Sequence, residues 1–147
     1  MINYFKSAER VLAERGNLER AIPNLERRLE RAISANAPNE LSTIDYSRPY
    51  VSASATSDAL SACLEVAELT REINSTREII QEIDRVLEQL SSDDSLLLRA
   101  WYLERKSKED IAEELDYSSV TTVYDLRNKA VAAFAILYFG AGALAST

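Results

Sequence analysis

Two pairs of adjacent carboxylates, Asp93-Asp94 and Glu113-Glu114, come nearest to acid-base or magnesium chemistry in this sequence. Neighbours in sequence diverge around a helix, so neither pair can converge on one ligand, and capping and solvation are the expected roles. The chain has no His and a single Cys, which leaves no imidazole base, no zinc-ligand set and no internal disulfide. That residue, Cys63, stands among Leu60, Leu64 and Ala67 and is expected to be a buried thiol. Gly140-Ala141-Gly142 lacks the Lys and Ser/Thr of a phosphate loop and follows a helical pattern, so it is expected to stop a helix. No catalytic residue, metal ligand or cofactor is assigned, and a non-enzymatic role is expected.

The elements that would position any binding site are helical. With 3 Gly and 3 Pro in 147 residues and 46% hydrophobic content, the composition predicts an all-α fold. The formal net charge is -7, which argues against a nonspecific nucleic-acid coat, because such proteins neutralise many phosphates at once. Neither half is basic: 15 acidic and 11 basic residues precede Ser91, and 9 acidic and 6 basic follow Leu90. Lys6, Glu9 and Arg10 interrupt the stretch where a secretory signal needs apolar residues, so a cytoplasmic location is expected. From Ala130 to Thr147 the chain is uncharged, but its glycines and alanines, and its need to complete a packed helix, predict no membrane insertion.

Residues 1–90 read as a long helical hairpin of coiled-coil type. Val11, Leu18, Leu25 and Ala32 recur at sevenfold spacing beside Ile22 and Leu29, while Gly16-Asn17 and Pro23 interrupt the stripe. Pro23 should kink this segment or begin a new helix. Residues 36–57 lose helical periodicity and are expected to connect, with Ile44, Tyr46, Tyr50 and Val51 packed against the helices. Tyr46-Ser47-Arg48-Pro49-Tyr50 is a possible peptide or phosphate contact, with ordered packing the preferred reading. Asp58 is placed to cap a second long helix running to Leu90, with Val66, Ile73, Ile80 and Leu87 on one heptad line. Leu69, Thr76, Ile83 and Leu90 form the other, in which Thr76 can fix the register. The apolar surplus of this hairpin predicts a homodimer.

Residues 91–147 form the second expected module. Ser91-Ser92-Asp93-Asp94 has the residues of a helix cap and precedes the apolar run Leu96-Leu97-Leu98, Ala100-Trp101-Tyr102-Leu103. Ser107 to Asp110 makes a capping-box pattern for a short helix with Ile111, Ala112 and Leu115 on one face. Asp116-Tyr117-Ser118-Ser119 can turn and cap a third helix, whose inward positions would be Val120, Val123, Leu126, Ala130, Phe134 and Leu137. Placing Val123 inward sends Thr121, Thr122, Tyr124, Asp125, Asn128 and Lys129 outward.

The stretch from Leu98 to Ala130 resembles region 4 of sigma-70 factors. It is more closely similar to short phage and prophage proteins with a helical first half and a sigma-region-4-like end, including late-gene regulators of the RinA and ArpU type. Glu109-Asp110-Ile111-Ala112, Leu115 and the run from Ser119 to Val123 carry the resemblance, which covers about the last third of the chain. The sequence departs from the pattern at Asp116, where Gly is commonest, and in a turn one residue longer around Ser118-Ser119-Val120. Asp125 stands at an outward position that often carries a cation, and Leu126-Arg127 reverses the usual order, turning Arg127 toward the edge of the buried face.

The resemblance implies a helix-turn-helix whose third helix enters the major groove of double-stranded DNA. Thr121, Thr122, Tyr124, Asp125 and Asn128 would then face the bases, with Asn128 suited to adenine and Asp125 to a cytosine amino group. Lys108, Ser118, Ser119, Arg127 and Lys129 would contact phosphates, with Arg99, Arg105 and Lys106 at the rim. A phage-type transcription regulator acting as a dimer in a bacterial host cell is the first expectation. The second is an assembly or adaptor protein whose helix-turn-helix and coiled coil bind proteins such as RNA polymerase or a phage packaging complex.

Overall fold

A computed structural model of the chain describes residues 2–36, 53–117 and 119–146, the side chains of 36, 53–56 and 146 excepted. The expected connector packing, with Ile44, Tyr46, Tyr50 and Val51, lies outside the described residues. Among the described residues the protein is all-helical, with no strand: α1 (Tyr4–Asn36), α2 (Ala53–Gln89), α3 (Ser92–Leu98), α4 (Lys108–Glu114) and α5 (Val120–Phe139). A π-helical turn, Arg99–Leu103, continues α3, and a 3-10 turn, Gly140–Ser146, follows α5.

The long helices differ from expectation at three points. α1 runs unbroken through Gly16, Asn17 and Pro23. Pro23 is exposed, and so is Glu19, whose carbonyl loses the proline as a donor, so water can take up the missing hydrogen bond. α2 begins at Ala53 rather than at an Asp58 cap, since the alanines of the Ser-Ala run favour helix strongly enough to extend it by more than a turn. Cys63 is exposed, together with Leu60 and Leu64, because this end of α2 turns Ala62 inward instead.

Two compact units divide the chain within α1 and α2. One comprises residues 20–77. In it Ala32, Ala62, Ile73 and Thr76 are buried, the Thr76 hydroxyl donates to the Glu72 carbonyl of its own helix, and Arg77 pairs with Glu26. A groove of about 760 Å³ lies between Leu25, Arg28 and Ala32 on α1 and Ala62, Glu65 and Leu69 on α2.

The other unit comprises residues 1–19 and 78–147 and holds the principal core. Leu12 of α1, Ile83 and Leu87 of α2, Leu97 and Leu98 of α3, Ile111 of α4, and Val123, Val131 and Phe134 of α5 are fully buried in it. The alternating lines of α2 place Ile80, Ile83 and Leu87 here as their spacing predicts. Arg15 and Asp84 form a two-point ion pair beside this core. α5 buries Val131 and Ala135 next to Ala130 and Phe134, leaving Leu137 exposed in place of its expected inward position. Gly140, at φ +81°, ends the helix. Gly142 lies so close to Tyr4 that a Cβ there would come within 3.2 Å of its hydroxyl and 3.3 Å of its ring. By length and composition alone, Val120–Ala145 could cross a membrane, a property shared by core helices of soluble proteins.

Candidate nucleic-acid interface

Three serines begin α3, α4 and α5 in the same way. Ser91 Oγ accepts from the Asp94 amide, Ser107 Oγ from the Asp110 amide at 3.1 Å, and Ser119 Oγ from the Thr122 amide at 3.2 Å. Each satisfies one of the amides that a helix start leaves without an intrahelical partner. At α5 the Ser119 and Thr122 hydroxyls also lie 2.9 Å apart, so the Thr122 side chain is shared with the cap.

Between α4 and α5 the backbone reverses through Asp116, which takes φ +60°. The Asp116 amide donates to the Glu113 carbonyl and the Tyr117 amide to the Ala112 carbonyl at 2.8 Å, the paired bonds of a Schellman motif. Asp tolerates the left-handed conformation better than most residues, which accounts for its standing where glycine is usual. The turn brings Ile111 and Ala112 of α4 against the side of α5 that buries Val123.

The opposite side of α5 exposes Thr121, Tyr124, Asp125, Asn128 and Lys129, and Thr122 is half-buried. Ser118 lies outside the described residues. The other candidate cations are drawn toward one aromatic ring. Lys108 Nζ lies 5.0 Å from the Trp101 ring centre, the Arg127 guanidinium 4.7 Å from it, and the Tyr124 ring meets Trp101 edge-on at 5.2 Å. Arg127 Nη1 donates to Glu9 Oε2 and to the Tyr102 hydroxyl, each at 3.0 Å, and Tyr102 donates to the same Glu9 oxygen. Arg127 therefore points into the packed unit, while Lys129 points outward. Burial pushes the Tyr102 phenol up to about 12, against the opposing pull of Arg127, with Glu9 adding to the rise.

The expected rim cations are also engaged within the protein. Arg99 Nε donates to Ser95 Oγ, Arg105 reaches the Ala13 carbonyl, and Lys106 pairs with Glu104 and Glu114. Hydrogen bonds to Glu114 and Glu104 raise the Lys106 ammonium above its ordinary range. Among the described residues, no three His, Cys, Asp or Glu side chains gather as a metal site needs.

Sequence reasoning missed Glu9 and the role of Trp101. The adjacent aromatics Trp101-Tyr102 were visible as an apolar run, but nothing local shows that two consecutive residues reach the same guanidinium. That geometry comes from the π-helical turn, in which the Glu104 amide donates to the Arg99 carbonyl five residues back. The chain matches no known family model, no curated protein and no solved structure.

Proposed function

We propose that the protein is a sequence-specific DNA-binding transcription regulator of phage or prophage type, with α4 and α5 as its helix-turn-helix. The observation that carries this reading is the polarity of α5: Val123, Ala130 and Phe134 are buried, while Thr121, Tyr124, Asp125, Asn128 and Lys129 form an exposed row. A helix end of this kind fits the major groove and offers donors, acceptors and a methyl to base edges. Few cations are free to meet phosphates, so affinity rests on base contacts and on a second copy of the chain. In this reading residues 20–77 form the helical hairpin through which the copies pair, using the exposed Leu60 and Leu64, and the protein acts in the host cytoplasm without catalysis.

Selection from a random duplex library at low salt is expected to enrich one motif, with an inverted repeat if the protein binds as a dimer. A library that emerges without any preferred sequence overturns the reading. The net charge of -7 favours a second one, a protein-binding adaptor to RNA polymerase or a phage packaging complex. A stable complex with such a partner, alongside DNA affinity no better than that of a charge-matched control protein, selects it.

A further inference from the structure

Of the two α5 cations expected to meet phosphates, Arg127 and Lys129, it is Arg127 whose charge is committed within the protein. Its Nη1 serves Glu9 and Tyr102, its plane lies over Trp101, and its Nε is enclosed with no hydrogen-bond partner among the described residues. To reach a phosphate it would have to leave a carboxylate in a part-buried setting and uncover an aromatic ring, losing a charge-assisted bond and a cation-π contact together. The same contacts tie α5 to α1 through Glu9 and to the π-helical turn through Trp101 and Tyr102.

We propose that Arg127 is a positioning residue for DNA recognition: held by Glu9, Tyr102 and Trp101, it fixes the rotation of α5 and takes no phosphate itself. This rests on the reading that α5 meets DNA. The reason that rotation matters is geometric. Side-chain tips lie about 6 Å from a helix axis, so a turn of about 20° displaces them by about 2 Å. Base-edge hydrogen bonds survive only a few tenths of an ångström of such movement. Tyr124 shares the Trp101 ring with Arg127, and Asn128 follows it directly, so both depend on the same anchor.

The test measures affinity for the selected duplex across a salt series, because each lost phosphate contact lowers the slope of log K against log salt by about 0.9. Arg127→Gln is expected to weaken specific binding about tenfold with the slope unchanged, the size of one disturbed base contact. Glu9→Gln, which removes a negative charge, is expected to weaken it as well. Lys129→Ala is the control that lowers the slope by about one. Arg127→Lys keeps the charge but not the planar group that lies over Trp101, so it is expected to behave as Arg127→Gln does. Emission from Trp101, the sole tryptophan, should shift in Arg127→Gln and Glu9→Gln without DNA, and circular dichroism checks that both remain folded. A slope reduced by about one in Arg127→Gln, or tighter binding by Glu9→Gln, overturns this proposal alone. A wild-type protein without any duplex preference overturns the DNA reading and this proposal with it.

Discussion

Arg15 of α1 and Asp84 of α2 meet through two parallel hydrogen bonds, Nε to Oδ1 at 2.7 Å and Nη2 to Oδ2 at 2.8 Å. The hydrogen bond to Asp84 leads the causes that raise the Arg15 guanidinium above its ordinary range. Glu19 shares the same arginine from one turn away. Two-point pairing of this kind is stronger than an ordinary surface pair, though the partial exposure of Asp84 reduces its worth. Asp84→Ala is expected to lower stability by about 1 kcal/mol in urea unfolding, and Arg15→Lys by about half as much, because an ammonium cannot match both carboxylate oxygens. Equal stability of all three proteins would show that the pair contributes nothing net.

The turn between α4 and α5 gives a backbone prediction. At φ +60°, Asp116 occupies a conformation that a β-branched side chain tolerates poorly. Asp116→Val should cost about 1–2 kcal/mol, whereas Asp116→Gly should be nearly neutral, relief of strain offsetting the greater freedom of the unfolded chain. Thermal unfolding of the two variants separates the cases; similar losses in both would mean that the Asp116 side chain, not its backbone, matters.

A third expectation concerns the cap of α5. Ser119→Ala removes the acceptor for the Thr122 amide and the partner of the Thr122 hydroxyl, and should cost about 1 kcal/mol. Ser119→Asp restores the acceptor and places a negative charge at the positive end of the helix dipole, so its stability should return to the wild-type level. The same variant should bind DNA less well, since it adds charge beside the proposed phosphate path.

Alkaline titration tests the environment of Tyr102. Its folded-state value of about 12 exceeds the ordinary 10.0, so the folded protein holds the phenolic proton more tightly than the unfolded chain. The resulting stability is fully present below pH 10 and is lost as the pH rises from 10 toward about 12. Tyr117 and Tyr138 are shifted in the same direction by burial, so the informative quantity is the difference between wild type and Tyr102→Phe. That difference should shrink by roughly 1–2 kcal/mol across the interval in chemical denaturation. A constant difference would place the Tyr102 hydroxyl in contact with water.

What could be read from the sequence was what short-range rules govern. The serines at 91, 107 and 119 cap helices because the amides they satisfy lie three residues away. Ile73, Ile80, Ile83 and Leu87 are buried where a sevenfold repeat puts them, and the exposed row of α5 follows from placing Val123 inward. Errors arose where periodicity offered more apolar residues than the packed surface could take. Leu137 lost its place to Val131 and Ala135, and Cys63 to Ala62. Glu9 was illegible for another reason: it meets Arg127 across 118 residues of sequence, and no local pattern encodes such a meeting.

The π-helical turn at Arg99–Leu103 also ties the grip on Arg127 to a count of residues. A π turn is an α-helical turn that has absorbed one surplus residue, so it behaves as an insertion tolerated within a continuous helix. Removing one residue between Arg99 and Leu103 would restore the ordinary phase and swing Trp101 or Tyr102 away from Arg127. The aromatic clasp on α5 thus depends on the length of this turn as much as on the residues in it, and a change of length there would undo it without any substitution in α5 itself.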